Sequence, residues 1–116
     1  MRDHRELDVW KGAMDLVTEV YTLTKCFPKE ESYGLTSQLR RAAVSVPANI
    51  SEGAARQTDK EFVQFLFIAL GSATELETEL IIAERLGYLA EGQFPPRIAA
   101  VKKMLNGLIR HYWNKS

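Results

Sequence analysis

The sequence predicts an all-α protein: an antiparallel up-down-up-down four-helix bundle forming a single domain over residues 1–116. Three observations carry this. Apolar residues recur at helical spacing in four separate segments. No segment alternates with period two for long enough to make a strand. The connections are short, which makes sequential helices antiparallel neighbours.

The first helix is predicted from about Asp8 to Phe27. Val9, Ala13, Leu16, Val17, Val20, Leu23 and Phe27 form its stripe at i, i+3 and i+4 spacing. Asp8 is the expected N-cap. Pro28 ends the helix, because the residue before a proline is pushed out of the helical region. The second helix starts near Gly34 to Ser37 and ends near Gly53 to Arg56, with Leu35, Leu39, Ala42, Ala43, Val46, Ile50 and Gly53 inward. Pro47 lies inside it. An interior proline removes a hydrogen bond and crowds the preceding turn, at about 3 kcal/mol, so close packing must compensate.

Thr58-Asp59 supplies a turn and an N-cap for the third helix, from about Asp59 to Leu86. Its stripe, Phe62, Leu66, Ala69, Ala73, Leu76, Leu80, Ala83 and Gly87, alternates four and three, the heptad spacing of shallow-angle bundles. Gly87 stands where a left-handed C-terminal cap belongs, followed by Tyr88 and Leu89 as apolar cover. The fourth helix is predicted to begin near Phe94-Pro95-Pro96, since prolines are tolerated in a first turn. Ile98, Val101, Leu105, Leu108, Ile109 and Tyr112 face inward.

The chain is long enough for a core without staples. Cys26 is the only cysteine, so no intrachain disulfide forms and a reducing cytoplasm is the expected compartment. The first residues are charged with no apolar run behind them, so no signal peptide is expected. No stretch approaches the ~20 apolar residues that span a bilayer, and no membrane role is expected. The net charge is zero, which argues against a strongly electrostatic nucleic-acid binder. The distribution is uneven. Residues 94–116 hold Arg97, Lys102, Lys103, Arg110 and Lys115 with no acid, whereas residues 61–86 hold five glutamates against one arginine. Attraction between an acidic and a basic helix within the fold accounts for that asymmetry.

With the second turn centred near residue 58, residues whose numbers sum to about 116 lie level. Arg40 and Arg41 then meet Glu75 and Glu79 as an expected interhelical ion-pair cluster, the alternative being solvated charges worth under ~1 kcal/mol per pair. Pro47 falls opposite Ala69 to Gly71. Phe62 to Leu70 is apolar around the whole helix except for Gln64. Some of Phe65, Phe67, Ile68 and Leu70 must lie outside the intrachain stripe, as expected of an interface. A wider core is the alternative.

Neither His4 nor His111 has a glutamate three residues before it, Cys26 lacks a zinc-ligand neighbour, and Gly71-Ser72 lies inside a helix. No metal, cofactor or catalytic residue is therefore expected. An enzyme using Glu75 or Glu79 is the weakest of three readings.

Taken together, Leu7-Asp-Val-Trp10, Phe27-Pro28, Tyr33 to Ala42, Val46-Pro47-Ala-Asn49-Ile-Ser-Glu-Gly53, Phe62 to Leu66, Glu75-Leu-Glu-Thr78, Leu86-Gly-Tyr88 and Leu105 to Ile109 resemble a bacterial four-helix bundle family. Its founding members are encoded in intervening sequences of large-subunit ribosomal RNA genes. The resemblance covers nearly the whole chain and departs at Pro95-Pro96, where relatives tend to be acidic and helical. It implies a homopentameric ring. A related bundle, the accessory protein of diversity-generating retroelements, partners a reverse transcriptase and binds nucleic acid through a basic surface.

The expected function is a non-catalytic oligomeric scaffold binding RNA or a ribonucleoprotein, with Lys102, Lys103 and Arg110 on the outer face of the fourth helix contacting phosphates. The alternative is a protein-only adaptor, with Arg40, Arg41, Asn49 and Glu52 serving assembly or a peptide partner.

Overall fold

The computed structural model describes residues 2–113. It contains α1 (Asp8–Thr24), α2 (Leu35–Ala54), α3 (Asp59–Arg85) and α4 (Arg97–Trp113), with single 3₁₀ turns at His4–Glu6 and Lys29–Glu31. No strand occurs among the described residues. Each helix packs on its neighbours in sequence, and α4 closes the bundle against α1. The body measures 45 × 23 × 19 Å, so the long helices set its length. Leu16, Leu39, Ile50, Phe62, Leu66, Leu76, Leu80 and Leu105 are among its fully buried side chains. None of its helices is long and apolar enough to cross a membrane.

Two knots of contacts fix the up-down-up-down order. At one end Arg2 pairs with Asp59, donates to the carbonyl of Arg56 at 3.1 Å and stacks 4.4 Å over the Phe62 ring, which meets Tyr112 of α4. At the other end Glu31 accepts from Leu35 N–H at 3.2 Å and from the Tyr88 hydroxyl at 2.9 Å. That carboxylate joins the α1–α2 link to the α3–α4 link, and it holds the Tyr88 hydroxyl in its protonated form.

Three predicted ends move. Asp8 is not the N-cap of α1. Leu7 holds that position in extended backbone; its side chain has no acceptor to cap the helix and packs instead on the core. Helix α1 stops at Thr24 rather than Phe27. The chain tightens there, with Cys26 and Phe27 N–H donating back only three residues. Phe27 is still buried. Helix α4 begins at Arg97, after both prolines, with Pro95 accepting from Ile98 N–H. The α3 terminus matches the prediction closely. Gly87 has φ +81°, and Tyr88 and Gly87 N–H donate to the carbonyls of Ala83 and Glu84, the two bonds of a Schellman cap.

The antiparallel register of α2 on α3 agrees with the predicted one. The Ser45 and Ser72 hydroxyls are 2.9 Å apart. Gly53 allows close packing: a Cβ there would lie 2.5 Å from Phe65 Cβ and 3.0 Å from Phe62 Cδ1. Pro47 is buried, and the following turn is secured from outside the helix. Ser51 donates its hydroxyl to the Pro47 carbonyl at 2.9 Å and accepts from Trp10 Nε1 of α1 at 3.0 Å.

Candidate functional site

The residues of interest fall on three surfaces. The first is the outer stripe of α2. Positions 37, 40, 41, 44 and 45 recur at helical spacing beside Tyr21 near the end of α1 and the Ser32-Tyr33 link. Together they line an open groove of about 600 Å³. Arg40 is not part of the expected cluster with Glu75 and Glu79. Its Nε donates to Thr24 Oγ1 at 2.9 Å, and its guanidinium lies 4.5 Å over the Tyr21 ring. Adjacent residues on a helix point about 100° apart, so Arg40 faces α1 while Arg41 faces outward beside α3. Arg41 borders a second groove, shared with Gln38, Ser45, Ser72 and Glu75. No ion pair within 4 Å joins Arg41 to Glu75 among the described residues.

The predicted ion-pair cluster is instead a carboxyl pair. Glu79 is buried, and its Oε1 is enclosed without a donor. Burial pushes its carboxyl up to about 7, the charge of Glu75 and a hydrogen bond with it push the same way, and Arg41 opposes them. The protonated form of Glu79 is therefore favoured beside the Glu75 carboxyl. Asn49 and Glu52 do not converge on this region. Asn49 donates to the Ser45 carbonyl at 2.8 Å within its own helix, and Glu52 pairs with Arg56 at 3.1 Å.

The second surface is α4. Lys103 and Arg110 are exposed and two turns apart, as the predicted outer face requires. Lys102 is not open with them: its ammonium is 3.0 Å from Glu77 on α3 and half-buried. Arg97 is similarly engaged, 3.5 Å from Glu19 and 3.7 Å from Asp15 on α1. The charge asymmetry is therefore spent partly inside the fold, though α1 takes as large a share as acidic α3.

The third surface is apolar. Phe67 and Ile68 are 46% and 51% exposed. Phe65 is half-buried beneath Arg56, whose guanidinium lies 4.7 Å over its ring. Leu70 packs partly on the core. Two of the four candidates in the Phe62–Leu70 run thus stand outside the bundle. Trp113 of α4 extends the edge, 61% exposed with its ring centroid 6.0 Å from that of Phe67. Ile81, Ile82 and Leu86 form a similar exposed cluster at the far end of α3.

Tyr21, Tyr33 and Trp113 were missed from the sequence. The antiparallel numbering used for α2 and α3, applied to the first link, pairs Tyr21 with Arg40. Applied to the link between α3 and α4, the same numbering sets Trp113 level with Phe67.

The fold has a solved counterpart. A crystal structure of a protein with unknown function from the S23 ribosomal protein family of Bacteroides thetaiotaomicron superposes with a TM-score of 0.80, spanning 88% of this chain and 95% of that one at 23% identity. No curated protein matches the chain. The family described as 23S rRNA-intervening sequence protein matches residues 5–109, from the first 3₁₀ turn into the last turns of α4. By that match and by its four-helix architecture, the chain belongs to the 23S rRNA-intervening sequence protein family.

Proposed function

We propose that this protein is a non-catalytic homo-oligomeric scaffold, a homopentamer by family resemblance, that offers cationic side chains to RNA or a ribonucleoprotein partner. The supporting observation is the uncovered edge of Phe67, Ile68 and Trp113. The occupant we assign to it is a second copy. Lys60 borders one side of the Phe67–Trp113 pair and Arg110 the other, so an apolar centre has a polar rim. Burying such surface is favourable by roughly 25 cal/mol per Å². Lys103 and Arg110, repeated around a ring, gain avidity without new contacts. The histidines support the non-catalytic reading: His4 packs edge-on against Trp10 and His111 against Tyr112. The lone exposed thiol of Cys26 suits a reducing cytoplasm.

The Lys102–Glu77 pair favours a second reading, a protein adaptor with no nucleic-acid role, because it removes one of three cations from the α4 face. Copurification from native cells, with and without nuclease, separates the two. Retention of RNA that weakens steeply with salt supports the scaffold's nucleic-acid role. A nuclease-resistant, salt-insensitive protein complex selects the adaptor. Light scattering at micromolar concentration tests assembly, and a monomer mass overturns it.

A further inference from the structure

The α1–α2 groove is built differently from the other surfaces. Its lining carries two arginines, two tyrosines and four hydroxyls from Ser32, Thr36, Ser37 and Ser45, and no acid. Arg40 is held in place: Nε bonds Thr24, and the guanidinium lies on Tyr21. Among the described residues, neither of its Nη groups has a protein partner within hydrogen-bond distance, and Arg41 has no hydrogen bond or ion pair at all. Most other arginines of this chain are paired: Arg2, Arg5, Arg56 and Arg97 each hold a carboxylate. Of the nearby acids, Glu31 is occupied by Leu35 N–H and the Tyr88 hydroxyl, while Glu75 and the buried Glu79 lie on the α3 side of Arg41, outside the groove lining. The groove also flanks the first turn of α2, where Leu35 N–H donates to the Glu31 carboxylate.

We infer that this groove binds a nucleoside 5′-phosphate monoester, with Arg40 and Arg41 holding the phosphate and Tyr33 carrying the base. A carboxylate has two oxygens and one guanidinium fork satisfies it. A phosphate monoester has three terminal oxygens and close to two negative charges, so it can accept from both arginines and from neighbouring hydroxyls. The stacked, hydrogen-bonded Arg40 is pre-organised, which lowers the ordering cost on binding. Tyr33 is 101% exposed at the rim of the groove. A ring in that position packs on nothing in the bundle, and an aromatic face open to solvent is a platform for a planar base. The site depends neither on assembly nor on the α4 cations.

The same chemistry comes from a free mononucleotide or from the 5′ end of a single strand, and titration distinguishes them. The full chain is titrated with adenosine 5′-monophosphate, with a 5′-phosphorylated tetranucleotide and with its 5′-hydroxyl counterpart, followed by amide chemical shifts. Shifts at Tyr33, Ser37, Arg40 and Arg41 are expected, with the 5′-hydroxyl strand bound about tenfold or more weakly than the phosphorylated one. Similar affinities for the mononucleotide and the phosphorylated strand identify a free nucleotide as the ligand. Tighter binding of the strand identifies a strand end. Arg41→Gln and Tyr33→Ala alter exposed side chains, so the fold should persist and each should weaken binding about tenfold. Equal binding of the 5′-hydroxyl strand, shifts confined to α4, or unchanged affinity in Arg41→Gln would overturn the assignment. A monomeric protein that still binds through these residues leaves it standing and removes only the scaffold reading.

Discussion

Glu79 is buried one turn along α3 from Glu75, and the charge of Glu75 bears on its carboxyl. Burial, with the charge of Glu75, raises the Glu79 carboxyl from an ordinary 4.5 to about 7. The folded chain therefore holds a proton that the unfolded chain releases. That contribution to stability is complete below the unfolded value, declines across the interval, and is lost as pH rises through about 7. Glu79→Gln keeps a neutral donor at the site. At pH 8 it should stabilise the fold by roughly 1–3 kcal/mol, with little effect near pH 4. Urea melts at the two pH values check this, and an effect of the same size at both would refute the raised Glu79 carboxyl.

Gly53 of α2 packs directly against Phe62 and Phe65 of α3. Alanine is the better helix former by about 1 kcal/mol, so an unhindered Gly53→Ala would stabilise α2. The added Cβ instead meets Phe65 Cβ at 2.5 Å and the Phe62 ring at 3.0 Å. Overpacking of this kind costs about 1–3 kcal/mol, so the net change should be destabilising. Thermal melts decide the sign, and a higher melting temperature would mean that the two helices part freely.

Ser51 connects Trp10 to the turn after Pro47. Ser51→Ala removes the acceptor of a half-buried indole N–H at a cost of about 1–2 kcal/mol. It should also loosen Trp10, seen as a red shift in tryptophan emission. An unshifted spectrum with full stability would show that water replaces the hydroxyl at no cost.

The bundle was legible because each helix carries its own periodic stripe and its own punctuation: Pro28, Thr58 and Gly87 act locally. The end of α1 was not, because Phe27 remains buried after the helix has tightened into a turn, and periodicity records burial rather than hydrogen bonding. The α2–α3 register was readable from numbering, as Ser45 and Ser72 show. Side-chain pairing within that register was less so. A sequence gives the level of Arg40 but not the direction of its guanidinium, and here Tyr21 and Thr24 compete successfully for it. Opposite charges at one level suggested ion pairs, whereas burial favours the protonated form of Glu79 beside Glu75. Lys102 shows the converse, a surface cation captured by Glu77.

The apolar edge gives the most direct test of assembly. Ile68 is 51% and Phe67 46% exposed, so a polar replacement at either costs the folded monomer little. Full burial of such a side chain is worth roughly 1.5–3 kcal/mol, and an interface between copies supplies about half of that here because each is already half-buried. In a ring every copy contributes the same residue, so one substitution weakens every contact at once. Ile68→Glu and Phe67→Glu should therefore keep wild-type helicity by circular dichroism while light scattering reports a smaller species than the unsubstituted chain. A carboxylate facing an apolar partner adds its desolvation cost to the lost burial, which makes glutamate more disruptive than alanine. Ile82→Glu at the far end of α3 locates the contact. If it alone dissociates the oligomer, the Phe67–Trp113 edge is not the interface, and copies meet through the Ile81–Leu86 end instead.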